Sequence, residues 1–204
     1  MILQNKVVIL TGASEGIGRA IAERLVGEGA KLALVARTQG KLEAVAKAVG
    51  GEAFVCDVRN PARMKEVVEA IVAKFGGIDV LINNAGIWQK TDQLDQLADG
   101  VIDDVLATNL AGTIHMTKYA LPYLRKDDET AIIQIVSKSG ISAQEGQSVY
   151  TASKYGVKGF TDVLRVDLKD TKIDAPLKSN QATCPSFQDK LDLSPMKFEM
   201  HQMK

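Results

Sequence analysis

Tyr150 and Lys154 stand four residues apart in Tyr150-Thr151-Ala152-Ser153-Lys154. On a helix that spacing puts both side chains on one face, one turn apart. An ammonium near a phenol favours the phenolate and lowers its pKa from about 10. Such a tyrosine can pass a proton to or from an alcohol near neutral pH. The same spacing also occurs as a plain surface stacking pair, so its neighbours matter. Ser137 comes 13 residues earlier, across the loop Gly140–Ser148. A hydroxyl there can hydrogen-bond a substrate oxygen as negative charge develops on it. Ser139 is a rival by position, and either serine could serve only the turn before Gly140.

A second group of residues points to a nucleotide. The apolar run Val7-Val8-Ile9-Leu10 leads straight into Thr11-Gly12-Ala13-Ser14-Glu15-Gly16-Ile17-Gly18. Glycines at these places allow a tight turn, close backbone approach to a pyrophosphate, and close packing of helix on strand. The helix amino end adds unpaired N–H groups and a partial positive charge. The spacing G-x-x-x-G-x-G differs from the more common G-x-G-x-x-G, and a glycine-rich turn without a ligand is the plainer alternative. An NAD site normally carries an acidic residue near the end of the second strand. Here that place reads Ala36-Arg37. A cation without a carboxylate suits a 2′-phosphate, so NADP is the expected cofactor, with NAD the alternative. Glu15 in the turn argues the other way, and Arg37 could be a solvated surface arginine.

These residues need a scaffold, and the chain supplies one. Apolar runs suited to buried strands occur at Val7–Leu10, Leu32–Val35, Ala53–Cys56, Ile78–Ile82 and Ala131–Val136. Helical spacing falls between them, at Gly16–Glu28, Lys41–Val49, Pro61–Lys74 after an Asn60 cap, Val101–Leu124 and Val149–Leu168. Alternating strands and helices with continuous apolar strands predict an α/β fold: a doubly wound, Rossmann-like parallel sheet covered by helices on both faces. Ligands bind such sheets beyond the carboxyl ends of the strands.

Composition narrows the function classes. The 204 residues carry 25 basic and 25 acidic side chains, so a nucleic-acid or anionic-membrane binder is not expected. No apolar stretch is long enough for a membrane span, and no secretory signal is seen at the amino end. Cys56 and Cys184 are too few for a disulfide framework, which favours a reducing compartment and a cytoplasmic location. His115 and His201 have no partners at ligand spacing, so no metal is expected. Trp88 is placed either to line a substrate cleft or to pack at its rim, and Asp127-Asp128-Glu129 reads as a solvated loop.

Taken together and in order, Thr11–Gly18, Asp57-Val58, Asn83-Asn84-Ala85-Gly86, Thr108-Asn109, Ser137 and Tyr150–Lys154 resemble the classical short-chain dehydrogenase/reductase family. The resemblance implies a catalytic set of Asn109, Ser137, Tyr150 and Lys154. Tyr150 would be the acid/base, and Ser137 would orient and polarise the carbonyl. Lys154 would hold the nicotinamide ribose and lower the Tyr150 pKa. Asn109 would bind a water in a proton relay, or merely interrupt a helix. Gly12, Ser14, Gly16, Ile17 and Gly18 would cradle the cofactor, with Arg37 selecting it. Asp57 and Val58 would contact the adenine, and Asn84, Ala85 and Gly86 would floor the pocket. The implied reaction moves a hydride between a nicotinamide and a small carbonyl or secondary alcohol. The rival reading is a non-catalytic chain of the same fold that binds nucleotide or a protein partner. A homodimer through residues 101–124 and 149–168 is also implied.

Past the Tyr150 helix the pattern is expected to stop, near residue 173. The family's sixth strand should follow, but Asp174–Gln181 is polar and contains Pro176. Cys184-Pro185-Ser186 is the nearest echo of a Pro-Gly turn, and Phe187–Lys204 shows only weak helical spacing. All 17 glycines lie at or before Gly159. The expected organisation is a cofactor-binding unit over 1–173 and an atypical tail over 174–204, with the last family strands missing.

Overall fold

The computed structural model describes residues 1–124 and 129–179. The apolar runs form five parallel strands: β1 (Val7–Thr11), β2 (Lys31–Ala36), β3 (Glu52–Val55), β4 (Val80–Asn83) and β5 (Thr130–Val136). They lie in the order β3-β2-β1-β4-β5. The winding reverses between β1 and β4, so a crevice opens beyond their carboxyl ends. Crossovers are made by α1 (Gly16–Gly27), α2 (Gln39–Val49), α3 (Pro61–Phe75), α4 (Asp99–Leu106), α5 (Gly112–Ala120) and α6 (Ser148–Asp167).

Strand alternation divides the core between two faces. Val8 and Leu10 pack with Ile21, Leu25, Leu42 and Val45 of α1 and α2. Ile9 points the other way, into a cluster with Met64, Val68, Ile71, Met116 and Leu164. The α3 start is as its sequence predicts: Asn60 Oδ1 accepts from Arg63 N at 3.0 Å, and Pro61 opens the first turn. At the opposite end of the sheet, buried Asp79 accepts from Val7 N at 2.7 Å and from Lys6 Nζ at 3.2 Å. This brace fixes the start of β1 beside that of β4.

Two expectations need correction. The helix read across Val101–Leu124 is not regular. A π-helical turn at Ala107–Ala111 separates α4 from α5, and a 3₁₀ turn at Leu121–Tyr123 ends it. Asn109 sits in the π turn, where the extra residue per turn re-aims a side chain.

The strand expected to be missing is present. Ile173–Asp174 (β6) and Leu177–Ser179 (β7) both pair in parallel with β5. Their register is continuous: Thr130 pairs with Ile173 and Gln134 with Leu177, four residues further along each chain. Pro176 nicks this strand without ending it, because its carbonyl still accepts from Gln134 N at 3.1 Å. Ile173 and Ala175 bury into the α3, α5 and α6 face. Proline is tolerated on an edge strand, and this strand is the sheet's edge among the described residues. It crosses residue 173, where the pattern was expected to stop. The Cys184-Pro185-Ser186 echo, the Leu191, Met196, Met200 and Met203 spacing, His201, Asp127 and Asp128 lie outside the described residues.

Candidate active site

The glycine turn divides its labour. Gly12 has φ +65°, and a Cβ there would stand 2.8 Å from the Ala85 Cα. A Cβ on Gly18 would stand 2.0 Å from the Gly12 carbonyl oxygen. These two glycines let α1 lie against β1 and the segment after β4. Gly16 has φ +54° and nothing within 4 Å of its missing Cβ, so the amino end of α1 faces open space. Thr11, only quoted as part of the motif, joins the two halves. Its Oγ1 accepts from Asn84 N and Ala85 N, each at 3.0 Å. Asn84 Nδ2 donates back to the Thr11 carbonyl at 3.0 Å.

This packing leaves a cleft of about 350 Å³. Gly12, Ser14, Gly16, Ile17, Gly18, Arg37, Asp57, Val58, Asn84, Ala85 and Gly86 all line it. Ala36, Thr38, Cys56, Ile87 and Thr108 complete the walls, and the sequence did not assign them to the cofactor. A nicotinamide dinucleotide fits this shape. The bare α1 end suits its pyrophosphate, and the apolar walls beside Asp57 suit a base. Desolvation pushes the Cys56 thiol up to about 11, so it is no nucleophile at neutral pH.

Charge is arranged around one end of the cleft. Both Asp57 carboxylate oxygens are held by the Arg59 guanidinium, which also reaches Asp104 of α4. Hydrogen bonding to Arg59 keeps the Asp57 carboxyl below the usual carboxylate range, and the Arg37 charge acts in the same direction. Glu15 is paired with Lys41 at 2.6 Å on the surface. The anion that counted against NADP is therefore partly neutralised by a lysine that sequence reasoning overlooked.

The candidate reactive residues meet beside this cleft. Tyr150 and Lys154 lie on the first turns of α6, with Lys154 Nζ 5.7 Å from the Tyr150 ring centre. Ser137 lies near the Tyr150 phenol and favours its charged form. Ser139 is engaged elsewhere: it is buried, donates its N–H to Ser137 Oγ at 3.2 Å, and turns its hydroxyl to Gln147.

The expected lowering of the Tyr150 pKa by Lys154 is not found. Burial raises the phenol, and Ser137 only partly offsets it. Lys154 is 6% exposed and donates to the Ile135 carbonyl at 3.2 Å. Desolvation pulls its ammonium down to about 8, still a cation at neutral pH. Asn109 is held on several sides. Its Oδ1 accepts from Ile87 N at 2.8 Å, while Nδ2 donates to the Ile87 carbonyl at 3.0 Å and to Ser153 Oγ at 3.1 Å. The side chain is a brace between the cleft floor and α6. A Cβ on Gly86 would stand 3.3 Å from Asn109 Oδ1 and 3.5 Å from Lys154 Nζ, so the floor touches both.

The family model for short chain dehydrogenases matches residues 6–182. The chain belongs to the short-chain dehydrogenase family. This dehydrogenase-family chain is 36% identical over 166 residues to the 3-oxoacyl-(acyl-carrier-protein) reductase FabG of Escherichia coli, covering 80% of itself and 68% of that protein. It is 36% identical over 196 residues to the 11-beta-hydroxysteroid dehydrogenase-like 2 of Arabidopsis thaliana, covering 90% and 63% respectively. Among solved structures, a short-chain dehydrogenase/reductase from Burkholderia phymatum in complex with NAD superposes with TM-score 0.82 at 27% identity, covering 87% of this chain and 66% of that one. The short-chain dehydrogenase described here therefore spans about two thirds of the length of these relatives. No helix among its described residues is long and apolar enough to cross a membrane.

Proposed function

We propose that the chain is an NADP(H)-preferring oxidoreductase acting on a small carbonyl compound or secondary alcohol. The observation that carries this reading is the grouping of Ser137, Tyr150 and Lys154 beside the glycine-lined cleft, where Lys154 Nζ is 5.7 Å from the Tyr150 ring centre and abuts Gly86. The bound cofactor would supply or accept the hydride. The chain would do the rest. Ser137 would donate a hydrogen bond to the substrate oxygen, and Tyr150 would hold the proton that this oxygen gains or loses. Lys154, beneath the ring and one turn on, would hydrogen-bond the ribose at the cleft's inner end. Arg37 would face the 2′-phosphate, with Glu15 restrained by Lys41. Asn109 would act by holding Ile87 and Ser153 in place. The exposed faces of the 101–124 and 149–168 segments are read as the surface that pairs two copies.

Titration with NADPH and NADH, followed by nicotinamide fluorescence, tests the cofactor half. A panel of carbonyl substrates then tests the chemistry. Tight NADPH binding with turnover is expected. Binding of neither nucleotide refutes the reading, and binding without turnover across the panel favours a non-catalytic nucleotide-binding chain.

A further inference from the structure

We propose that Gln89 is a positioning residue that sets the amino end of α6, and with it Tyr150, against the floor of the cofactor cleft. The proposal rests on the reading of Tyr150 as the proton carrier. Gln89 is 1% exposed and follows the cleft-lining Ile87 by two residues. Its Oε1 accepts from Tyr150 N at 2.9 Å, and its Nε2 donates to the Gly146 carbonyl at 3.0 Å. Both ends of the amide are thus committed to the loop and helix that carry the reactive tyrosine.

Tyr150 N–H belongs to the first turn of α6, where backbone donors have no partner within the helix. Gln147, at the cap position, provides no side-chain acceptor. The helix is capped instead from 61 residues away. A local Ser or Asp would satisfy the same donor, but only a distant cap also ties the helix across the cleft.

The tie is doubled. The Tyr150 carbonyl accepts from Ser153 Oγ at 2.7 Å, Ser153 Oγ accepts from Asn109 Nδ2, and Asn109 grips Ile87 on both backbone groups. Both backbone polar groups of Tyr150 are therefore linked to the short segment Ile87–Gln89. The neighbouring loops interlock as well. The Gly146 carbonyl takes a second bond from Asp92 N at 3.1 Å. Gly146 has φ +67°, and a Cβ there would meet Thr91 Cγ2 at 2.4 Å. Movement of the cleft floor and of Tyr150 is thereby coupled through two buried amides, of which Gln89 alone holds the Tyr150 N–H.

Gln89→Met keeps the volume and removes both bonds, while Gln89→Glu keeps an acceptor for Tyr150 N. Two readouts decide the proposal. In turnover, Gln89→Met is expected to lower kcat about 10- to 100-fold, as displacement of a reacting group by roughly 1 Å does, with the NADPH Kd within about twofold of the parent. Gln89→Glu is expected to fall between the two. In amide hydrogen exchange, Gln89→Met should expose the Tyr150 N–H and leave α1 and β1 protected, whereas Gln89→Glu keeps it protected. An unchanged kcat, or a loss of kcat matched by an equal loss of NADPH affinity, overturns the proposal. If the parent chain turns over no carbonyl at all, the functional reading fails separately, and exchange alone decides. Unaltered Tyr150 exchange in Gln89→Met then overturns the clasp. If Gln89→Met does not fold, Gln89→Glu serves the same two readouts: parental kcat together with an exposed Tyr150 N–H overturns it.

Discussion

Lys154 Nζ lies 5.7 Å from the centre of the Tyr150 ring, yet it donates to the Ile135 carbonyl rather than to the phenol. The two side chains share a helix face, with the ammonium over the ring. Burial sets both pKa values: it raises the phenol and lowers the ammonium to about 8 from 10.5. Between those two Lys154 values the unfolded chain holds more protons than the folded one, so stability rises with pH across that window. The full penalty, roughly 3 kcal/mol, is present below pH 8. Lys154→Met removes it, offset in part by the orphaned Ile135 carbonyl. The variant should gain on the parent most at pH 7 and least at pH 10 in urea denaturation. A difference that does not change with pH would contradict the burial account.

Arg37 faces the cleft and its charge is felt at Asp57. Hydrogen bonds to charged groups are worth about 1.5–3 kcal/mol, so Arg37→Asp should weaken NADPH relative to NADH by about 10- to 100-fold. Fluorescence titration of both nucleotides measures the ratio, and an unchanged ratio removes Arg37 as the selector.

Asp79 tests the far end of the sheet, away from any chemistry. Its carboxylate is fully buried and accepts from Val7 N and Lys6 Nζ. Asp79→Ala leaves a buried donor unsatisfied and should cost about 2–3 kcal/mol in denaturant unfolding. NADPH affinity measured under folding conditions should stay unchanged.

The proposed subunit pairing has a specific stripe behind it. Tyr155, Gly159, Val163 and Val166 recur along one face of α6, with Val163 61% and Val166 64% exposed. Val163→Lys combined with Val166→Lys should convert a dimer to a monomer in sedimentation velocity. A parent chain that already sediments as a monomer would refute the pairing.

Much of the fold was legible in the sequence, for physical reasons. Fully buried parallel strands must be apolar on both faces, and Val7–Leu10 and Ala131–Val136 advertise that directly. The glycine turn was equally legible, since Gly12 and Gly18 are demanded by close backbone approach. The edge strand was not. Ile173 and Ala175 are buried, but Asp174, Pro176 and Lys178 break the apolar signature, and only the pairing partner β5 makes a strand of them. Candidate site residues were found where chemistry requires a residue type at a spacing, as at Tyr150 and Lys154. Gln89, Thr11, Lys41 and Arg59 were missed because they act through bonds spanning from two to seventy-four residues, which periodicity does not report.

The most direct test of the account is Tyr150→Phe, which removes one hydroxyl and keeps the ring that packs on Lys154. NADPH binding should stay within about twofold of the parent while carbonyl turnover falls about 100- to 10,000-fold, the range typical of a lost general acid. Turnover by Tyr150→Phe at close to the parental rate, with NADPH still bound, would contradict the assignment of Tyr150 as the proton carrier.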